Sequence, residues 1–349
     1  MTSPIRVLVV DDSRTVRAAL RALLSRDPAL EVVGEAEDGE AALGLAAALR
    51  PDVVTMDLVM PGMGGIEAIR RLMERSPCRV LAVAAVEPGR ETSVSFEAIE
   101  AGALELVSKP RTGAGEIEAW GAKVAEAVRL MAEIPVVTRR RAGPPSWPSP
   151  PPPSVEGRVS VVGLVASTGG PPALARILEG LPPGLAAPVL VAQHLMAGFG
   201  QGLTRWLAGC TRLRVEVARD GEGLRPGHVY LPPDRSDLEL ASGWRARVVA
   251  NRGGHCPSGD RLLESLARHA GKLAAGVVLT GMGEDGAQGL LALRNAGGAT
   301  LAQDRDSSIV YGMPQAAARL GAAVRILPLE AIATALLELC GTGGDEGRP

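Results

Sequence analysis

The chain has 349 residues, which is long enough for two domains of average size. Apolar residues make up 46% of it and charged residues 22%, as in ordinary soluble globular proteins, and its net charge of −2 gives no electrostatic basis for binding nucleic acid or an anionic membrane surface. The four cysteines have neither the spacing of a metal site nor that of a disulfide framework, and no signal peptide or long apolar span is visible. We therefore expect a cytoplasmic protein without direct membrane insertion.

The first part of the chain, residues 4–125, alternates apolar runs of strand length with helical patterns. Ser13 is the predicted N-cap of the first helix, and a second helix is predicted over Gly39–Leu49. Strands alternating with helices predict a parallel sheet with helices on both faces. The predicted strands are Ile5–Val10, a strand beginning at Val32, Val53–Met56, Val80–Ala84 and Leu104–Val107.

Charged residues fall at the carboxyl ends of three of these strands. They are Asp11, Asp12, Asp57 and Lys109. Three carboxylates in one crevice repel one another unless a hard cation lies between them, and oxygen ligands suit Mg²⁺. A neighbouring lysine can hold a phosphoryl group. Any one of these acids alone would fit a solvated loop, but together they predict an aspartate that accepts phosphate.

Residues 126–157 are predicted to contain the end of a helix and a proline-rich linker. Seven prolines lie between positions 144 and 153, where they favour extended polyproline II backbone and cannot continue a helix. A semi-rigid spacer between domains is the favoured interpretation, and a docking segment for a partner is the alternative.

Three apolar runs in the second part, residues 158–341, each end at a polar motif. The run Val159–Val165 leads to Ser167, the run from Pro188 to Ala192 leads to His194, and the run from Gly276 to Gly281 leads to Asp285. In a doubly wound sheet the carboxyl ends of the strands line one crevice. A hydroxyl, an imidazole and a carboxylate at this edge are what nucleophilic acyl transfer needs, so the pattern predicts a serine hydrolase.

Each of these three residues also has a structural interpretation. Ser167 could belong to an ordinary turn, His194 could be a packed or surface residue, and Asp285 could cap the helix predicted over Ala287–Asn295. Glu284 is the competing candidate for the third position of the site, that of the carboxylate that pairs with the histidine.

The other cysteine and histidine candidates are weaker. Cys256 follows His255 directly, and sequence neighbours rarely form the hydrogen bond that a thiol nucleophile requires. His228 is predicted to lie in a turn and His269 on a helix surface.

The first part resembles the response-regulator receiver domain. The motifs are Val-Val-Asp-Asp-Ser at 9–13, Met-Asp-Leu-Val-Met-Pro-Gly-Met-Gly-Gly at 56–65 and Val-Ser-Lys-Pro at 107–110. The resemblance implies a flavodoxin-like fold in which Asp57 accepts phosphate, Asp11, Asp12 and Asp57 bind Mg²⁺, and Lys109 contacts the phosphoryl group. Receivers usually carry Ser or Thr where this chain has Ala84, and an aromatic residue where it has Leu106. We therefore expect weaker coupling between phosphorylation and output.

The second part resembles the catalytic domain of the chemotaxis-receptor methylesterase (CheB) family. The motifs include Ala-Ser-Thr-Gly-Gly-Pro at 166–171, Val-Ala-Gln-His at 191–194, His-Cys-Pro-Ser at 255–258 and Leu-Thr-Gly-Met-Gly-Glu-Asp-Gly at 279–286. The resemblance implies a second, Rossmann-like sheet in which Ser167 is the nucleophile, His194 the base and Asp285 the orienting acid. Thr168 and the backbone N–H of Met282 are then expected to support the oxyanion.

The same resemblance implies the activity and the partners. The substrates would be glutamate methyl esters on methyl-accepting chemoreceptors, with glutamine deamidation as a related reaction, and the phosphodonor would be a histidine kinase of the chemotaxis type. No cofactor is expected for ester hydrolysis, and a monomer with a flexible tail over residues 342–349 is expected. This chain departs from the family in having Val165 before Ala-Ser and Leu195-Met196 after the histidine. The alternative function is a non-catalytic adaptor or phosphate acceptor in a chemosensory pathway.

Overall fold

The computed structural model describes residues 3–85, 92–110, 114–132 and 159–342. Most of the predicted helix end and linker (residues 133–157) and the predicted tail beyond residue 342 lie outside these residues. The chain divides into two compact units, Met1–Ser149 and Pro150–Pro349. None of the helices within the described residues combines the length and the apolar character needed to cross a membrane.

The first unit contains a five-stranded parallel sheet in the order β2-β1-β3-β4-β5. Its strands are β1 (Ile5–Val10), β2 (Leu30–Ala36), β3 (Val53–Asp57), β4 (Arg79–Ala84) and β5 (Glu105–Ser108). Its helices are α1 (Arg14–Leu24), α2 (Gly39–Leu49), α3 (Gly65–Arg75), α4 (Thr92–Ala101) and α5 (Ala114–Ala132). The predicted parallel α/β sheet is confirmed.

Two strand boundaries in this unit differ from the sequence prediction. β2 begins at Leu30 rather than at Val32, because Leu30 already pairs with Ile5 of β1. β5 is shifted by one residue, because Ser108 pairs with Ala84 at the end of β4. The predicted cap is present: the Ser13 hydroxyl accepts a hydrogen bond from the backbone N–H of Val16 at 3.4 Å.

The second unit contains a seven-stranded parallel sheet in the order β14-β13-β12-β6-β7-β9-β8. Its strands are β6 (Val161–Ala166), β7 (Val189–Gln193), β8 (Arg214–Val217), β9 (His228–Leu231), β12 (Ala274–Val278), β13 (Ala299–Gln303) and β14 (Arg325–Leu327). Its helices are α6 (Gly170–Glu179), α7 (Gly200–Cys210), α8 (Gly259–His269), α9 (Ala287–Asn295), α10 (Met313–Arg319) and α11 (Leu329–Cys340).

Two features of this unit correct the sequence prediction. An antiparallel pair of strands, β10 (Ser236–Ala241) and β11 (Arg245–Ala250), precedes α8 and was not predicted. His228 is the first residue of β9 rather than a turn residue, because it pairs with Arg214 of the neighbouring strand β8. The predicted helix over Ala287–Asn295 is confirmed as α9.

The chain order of the second sheet reverses at β6. This strand pairs in parallel with β7 on one side and with β12 on the other. In an open α/β sheet, the crevice outside the carboxyl ends of the strands at such a reversal is where ligands bind. The motifs around Ser167, His194 and Asp285 follow β6, β7 and β12 respectively, so the fold places all three motifs at this crevice.

Candidate functional site

Ser167 lies in a tightly packed turn between β6 and α6. Its backbone N–H donates to the carbonyl of Thr280 at 3.1 Å, and Gly169 adopts a positive φ of 75° before the helix begins. A Cβ added at Gly281 would lie 2.7 Å from Ser167 Cβ, closer than real side chains approach. The small residue at 281 therefore lets the loop after β12 contact the serine directly, while the serine itself stays half-buried.

A buried glutamine ties the serine turn to the histidine. Gln193 ends β7 and pairs with Ala166 in the register of the sheet. Its Nε2 donates to the carbonyl oxygens of both Ser167 and His194, at 2.8 and 3.0 Å. No local pattern in the sequence indicates this role of Gln193, because the bond joins residues 26 positions apart.

Asp285 binds His194 and the start of a helix at the same time. Its Oδ2 lies 2.7 Å from His194 Nε2 and accepts a hydrogen bond from the backbone N–H of Gly259 at 2.6 Å. Its Oδ1 accepts from the backbone N–H of Asp260 at 3.0 Å and from the Ser258 hydroxyl at 3.3 Å. Gly259 and Asp260 open α8, so the carboxylate lies at the positive end of the helix.

These contacts keep Asp285 ionised. Burial raises the pKa of the carboxyl, but the hydrogen bonds from His194, Gly259 and Asp260 together outweigh burial and lower the pKa to about 2. An ionised carboxylate is a pure acceptor, so His194 Nε2 must carry the proton of that bond. Nδ1 is then the nitrogen of His194 that can accept a proton.

The structure joins two members of the predicted triad by a hydrogen bond and places the third at the adjacent strand end. Among the residues that the structure describes, neither the Ser167 hydroxyl nor His194 Nδ1 has a hydrogen-bond partner. The hydrogen bond between nucleophile and base is often long in an empty site and shortens when substrate binds. The role of Ser167 therefore stays a prediction.

Glu284 and Asp285 differ in burial and in their contact with His194. Glu284 is exposed, whereas Asp285 is buried and pairs with the histidine, so the geometry favours Asp285 for the third position. Gly286, and not Asp285, is the N-cap of α9. Asp285 instead accepts hydrogen bonds from the backbone N–H groups at the beginning of α8. The local sequence did not suggest this contact.

The predicted oxyanion residues lie on the two loops that meet at Ser167. The carbonyl of Thr168 accepts a hydrogen bond from the Thr280 hydroxyl at 3.0 Å, which ties the serine turn to the end of β12. The backbone N–H of Met282 donates no hydrogen bond to any residue in the described part of the chain. An N–H without an internal partner is available to a negatively charged oxygen, so Met282 remains a predicted oxyanion donor.

His255 and Cys256 lie beside the proposed base His194. The rings of His255 and His194 are stacked, with centroids 4.7 Å apart and planes 6° from parallel. Burial raises the pKa of the Cys256 thiol, and the charges of Asp237 and Asp234 add to this effect. A thiol that holds its proton is a poor nucleophile, so Cys256 is no competitor for Ser167.

The charged residues predicted in the first unit converge at one edge of its sheet. Lys109 Nζ lies 2.8 Å from Asp11 Oδ2 and 2.7 Å from Asp57 Oδ2, and both carboxylates are buried. Burial raises the pKa of Asp57, and the bond from Lys109 offsets only part of that effect. Carboxylate oxygens of Asp11, Asp12 and Asp57 lie within 4.8 Å of one another, a donor set that fits Mg²⁺.

Ala84 and Leu106, the two departures from the receiver pattern, are both buried. Ala84, at the end of β4, is 4% exposed, and its carbonyl accepts a hydrogen bond from the backbone N–H of Lys109 at 2.8 Å. Leu106, on β5, is 5% exposed. Position 84 therefore reaches the Lys109 segment through its backbone but has no hydroxyl to offer a phosphoryl group.

Comparison with known proteins gives two family matches. A family model for the CheB methylesterase matches residues 162–336, and one for the response regulator receiver domain matches residues 7–118. The chain is 52% identical to "Protein-glutamate methylesterase/protein-glutamine glutaminase 3" of Myxococcus xanthus, over 97% of this chain and 94% of the relative. It is 42% identical to a protein of the same description, numbered 4, from Geobacter metallireducens, over 96% and 99% of the two chains.

A solved structure is also similar to part of this chain. The crystal structure of the CheB methylesterase catalytic domain of Thermotoga maritima is 34% identical, covers 52% of this chain and 98% of that one, and aligns with a TM-score of 0.49.

Proposed function

The chain belongs to the CheB methylesterase family, and we propose that it hydrolyses glutamate methyl esters and deamidates glutamines on chemoreceptors under the control of its receiver domain. The observation that carries this proposal is the bond between His194 and the ionised Asp285, in the crevice where the Ser167 turn also lies. The relatives named above, which the chain matches over nearly its whole length, support the two substrates. We place the reaction in the cytoplasm.

In the proposed reaction, Ser167 Oγ attacks the carbonyl carbon of the ester while His194 Nδ1 takes the hydroxyl proton. The negative charge on the carbonyl oxygen would be stabilised by the backbone N–H of Met282 and by Thr168. Collapse of the tetrahedral intermediate breaks the bond to the methoxy group, which leaves as methanol with the proton from Nδ1. Water, deprotonated by Nδ1, then hydrolyses the acyl-enzyme and releases the glutamate carboxylate. From glutamine, ammonia leaves instead of methanol.

Asp285 assists this proton transfer without giving up its own charge. With a pKa of about 2 it remains anionic at neutral pH, and it stabilises the positive charge that forms on the imidazole. Four hydrogen bonds fix its two oxygens, three of them from residues 258–260. The carboxylate is therefore already oriented before the substrate arrives.

We further propose that Asp57 accepts phosphate from a histidine kinase. Asp11, Asp12 and Asp57 would hold Mg²⁺, whose charge offsets that of the phosphoryl oxygens during transfer. Lys109 already contacts Asp57, so it is placed to hold an oxygen of the phosphorylated side chain.

The test is methanol release from membranes that contain methylated chemoreceptors, measured with the full chain in the presence and absence of a small phosphodonor and Mg²⁺. Ammonia release from receptors with glutamine at the same positions tests the second activity. Methanol release that rises with the phosphodonor is expected. A folded chain that releases no methanol under either condition would overturn the proposal.

A further inference from the structure

His255 contacts the proposed base without belonging to the triad. It lies in the segment between β11 and α8, and its ring covers one face of the His194 imidazole in a nearly parallel stack. The His194 side chain is only 12% exposed, although His255 itself is an exposed residue. Its place over the base therefore calls for an explanation other than packing of the apolar core.

The segment that carries His255 is held by hydrogen bonds on several sides. The carbonyl of His255 accepts from Asn251 Nδ2 at 2.8 Å, and the same Nδ2 lies 2.9 Å from Asp237 Oδ1. Asp237 is fully buried and also accepts from the backbone N–H of Ser258 at 2.7 Å. The position of His255 is thus fixed by a buried carboxylate rather than left to a free loop.

Two further contacts connect this segment to the site. The carbonyl of Cys256 accepts a hydrogen bond from the backbone N–H of Leu195, the residue that follows the proposed base, at 3.2 Å. On the other side, a Cβ added at Gly283 would come within 3.9 Å of His255 Cε1. The ring of His255 therefore lies beside the base and close to Gly283, in the loop that also carries Met282 and Asp285.

We propose that His255 is a positioning residue for His194, which holds the plane of the imidazole so that Nδ1 points toward Ser167. This inference rests on the proposed function. The bond to Asp285 fixes one atom of the imidazole, Nε2, but a single bond to an edge atom leaves the ring free to tilt. A flat ring stacked on the face of the imidazole opposes that tilt. A catalytic group that is misplaced by about 1 Å can lose about 100-fold in rate.

The test compares two substitutions in the full chain. His255→Phe keeps a flat ring in the stack, whereas His255→Ala removes it. We expect His255→Ala to lower kcat by about 10- to 100-fold with KM unchanged, and His255→Phe to restore most of the wild-type kcat. His269→Ala is the matched control, because His269 is an exposed histidine at the far end of α8, and it should leave kcat unchanged.

A second measurement does not depend on activity. Proton NMR should show the His194 Nε2–H, which is held in the bond to Asp285, exchanging slowly with water in the wild type and in His255→Phe, and faster in His255→Ala, where the ring can tilt out of that bond. Equal kcat values for the Ala and Phe variants, or wild-type values for both, would overturn the positioning role, as would an unchanged NMR signature in His255→Ala. A wild-type chain without esterase activity would refute the proposed function instead, and the NMR comparison would still decide the role of His255.

Discussion

Asp285 holds the base with one oxygen and the start of α8 with both, so its substitution should affect rate and stability together. In Asp285→Asn the amide nitrogen cannot accept the bonds that the carboxylate accepts, and the imidazole can adopt the wrong tautomer. We expect kcat for methanol release to fall by about 10⁴-fold. A variant that kept more than a tenth of the wild-type rate would assign the third position elsewhere, with Glu284 as the next candidate.

The low pKa of Asp285 also predicts a pH dependence of stability. Its pKa is about 2 in the folded chain and 3.8 ordinarily, so the ionised form stabilises the fold above pH 4, and this contribution is lost as the pH falls toward 2. The stability difference between wild type and Asp285→Asn should therefore shrink by about 2 kcal/mol over that range. Urea unfolding of both proteins between pH 5 and pH 2 measures it, and parallel curves would contradict the assignment.

Substitutions at Ser167 and Cys256 distinguish the two candidate nucleophiles. Ser167→Ala should lower ester hydrolysis by at least about a thousandfold without changing the unfolding transition, because the hydroxyl has no partner among the described residues. Cys256→Ser should retain most of the activity, since the thiol keeps its proton. Methanol release and thermal unfolding of both variants check this, and an inactive cysteine variant beside an active alanine variant would reverse the assignment.

At the scale of elements, the contact between the loop after β12 and the serine turn predicts a sharp difference between two glycines. Gly281→Ala would bring a Cβ against Ser167 and Met313 Sδ, so we expect it to lower both the melting temperature and kcat. Gly209, on α7, has open space around its Cβ position, and Gly209→Ala should raise stability by about 0.5–1 kcal/mol with no change in rate. Equal effects of the two substitutions would refute the proposed close contact.

The buried Ala84 and Leu106 predict weak activation by phosphate. A hydroxyl at position 84 would donate to a phosphoryl oxygen, and a hydrogen bond to a charged group contributes about 1.5–3 kcal/mol. Ala84→Thr with Leu106→Tyr should therefore raise the ratio of activated to resting rate by about tenfold. The test is the rate of methanol release with and without a phosphodonor, measured for the natural chain and for the double variant. Strong activation of the natural chain, unchanged in the double variant, would show that switching uses other residues.

The sequence predicted the elements that carry the site better than it predicted their contacts. Apolar runs ending in polar residues located Ser167, His194 and Asp57, because strand length and period are local properties. The bond from Asp285 to the start of α8 spans 26 residues, and the stack of His255 on His194 joins two separate loops. Neither contact has a local signature in the sequence.

At the scale of the whole molecule, phosphorylation and hydrolysis should be separable. In Asp57→Asn the phosphoacceptor is lost, so the increase in methanol release on adding phosphodonor and Mg²⁺ should disappear. In Ser167→Ala, Asp57 should still take up phosphate although no ester is hydrolysed. Phosphate incorporation and methanol release in both variants test this, and a phosphodonor response in Asp57→Asn would place the acceptor elsewhere.

The orientation of the His194 ring also determines which atom a covalent inhibitor can reach. Nε2 is bonded to Asp285, so an alkylating analogue of the substrate should attach to Nδ1. Tandem mass spectrometry of the labelled peptide, together with synthetic standards of the two alkylhistidine isomers, would identify the product. Reagents designed for hydrolases whose base presents Nε2 would approach this imidazole from the wrong side, so a selective inhibitor should be shaped for the opposite nitrogen.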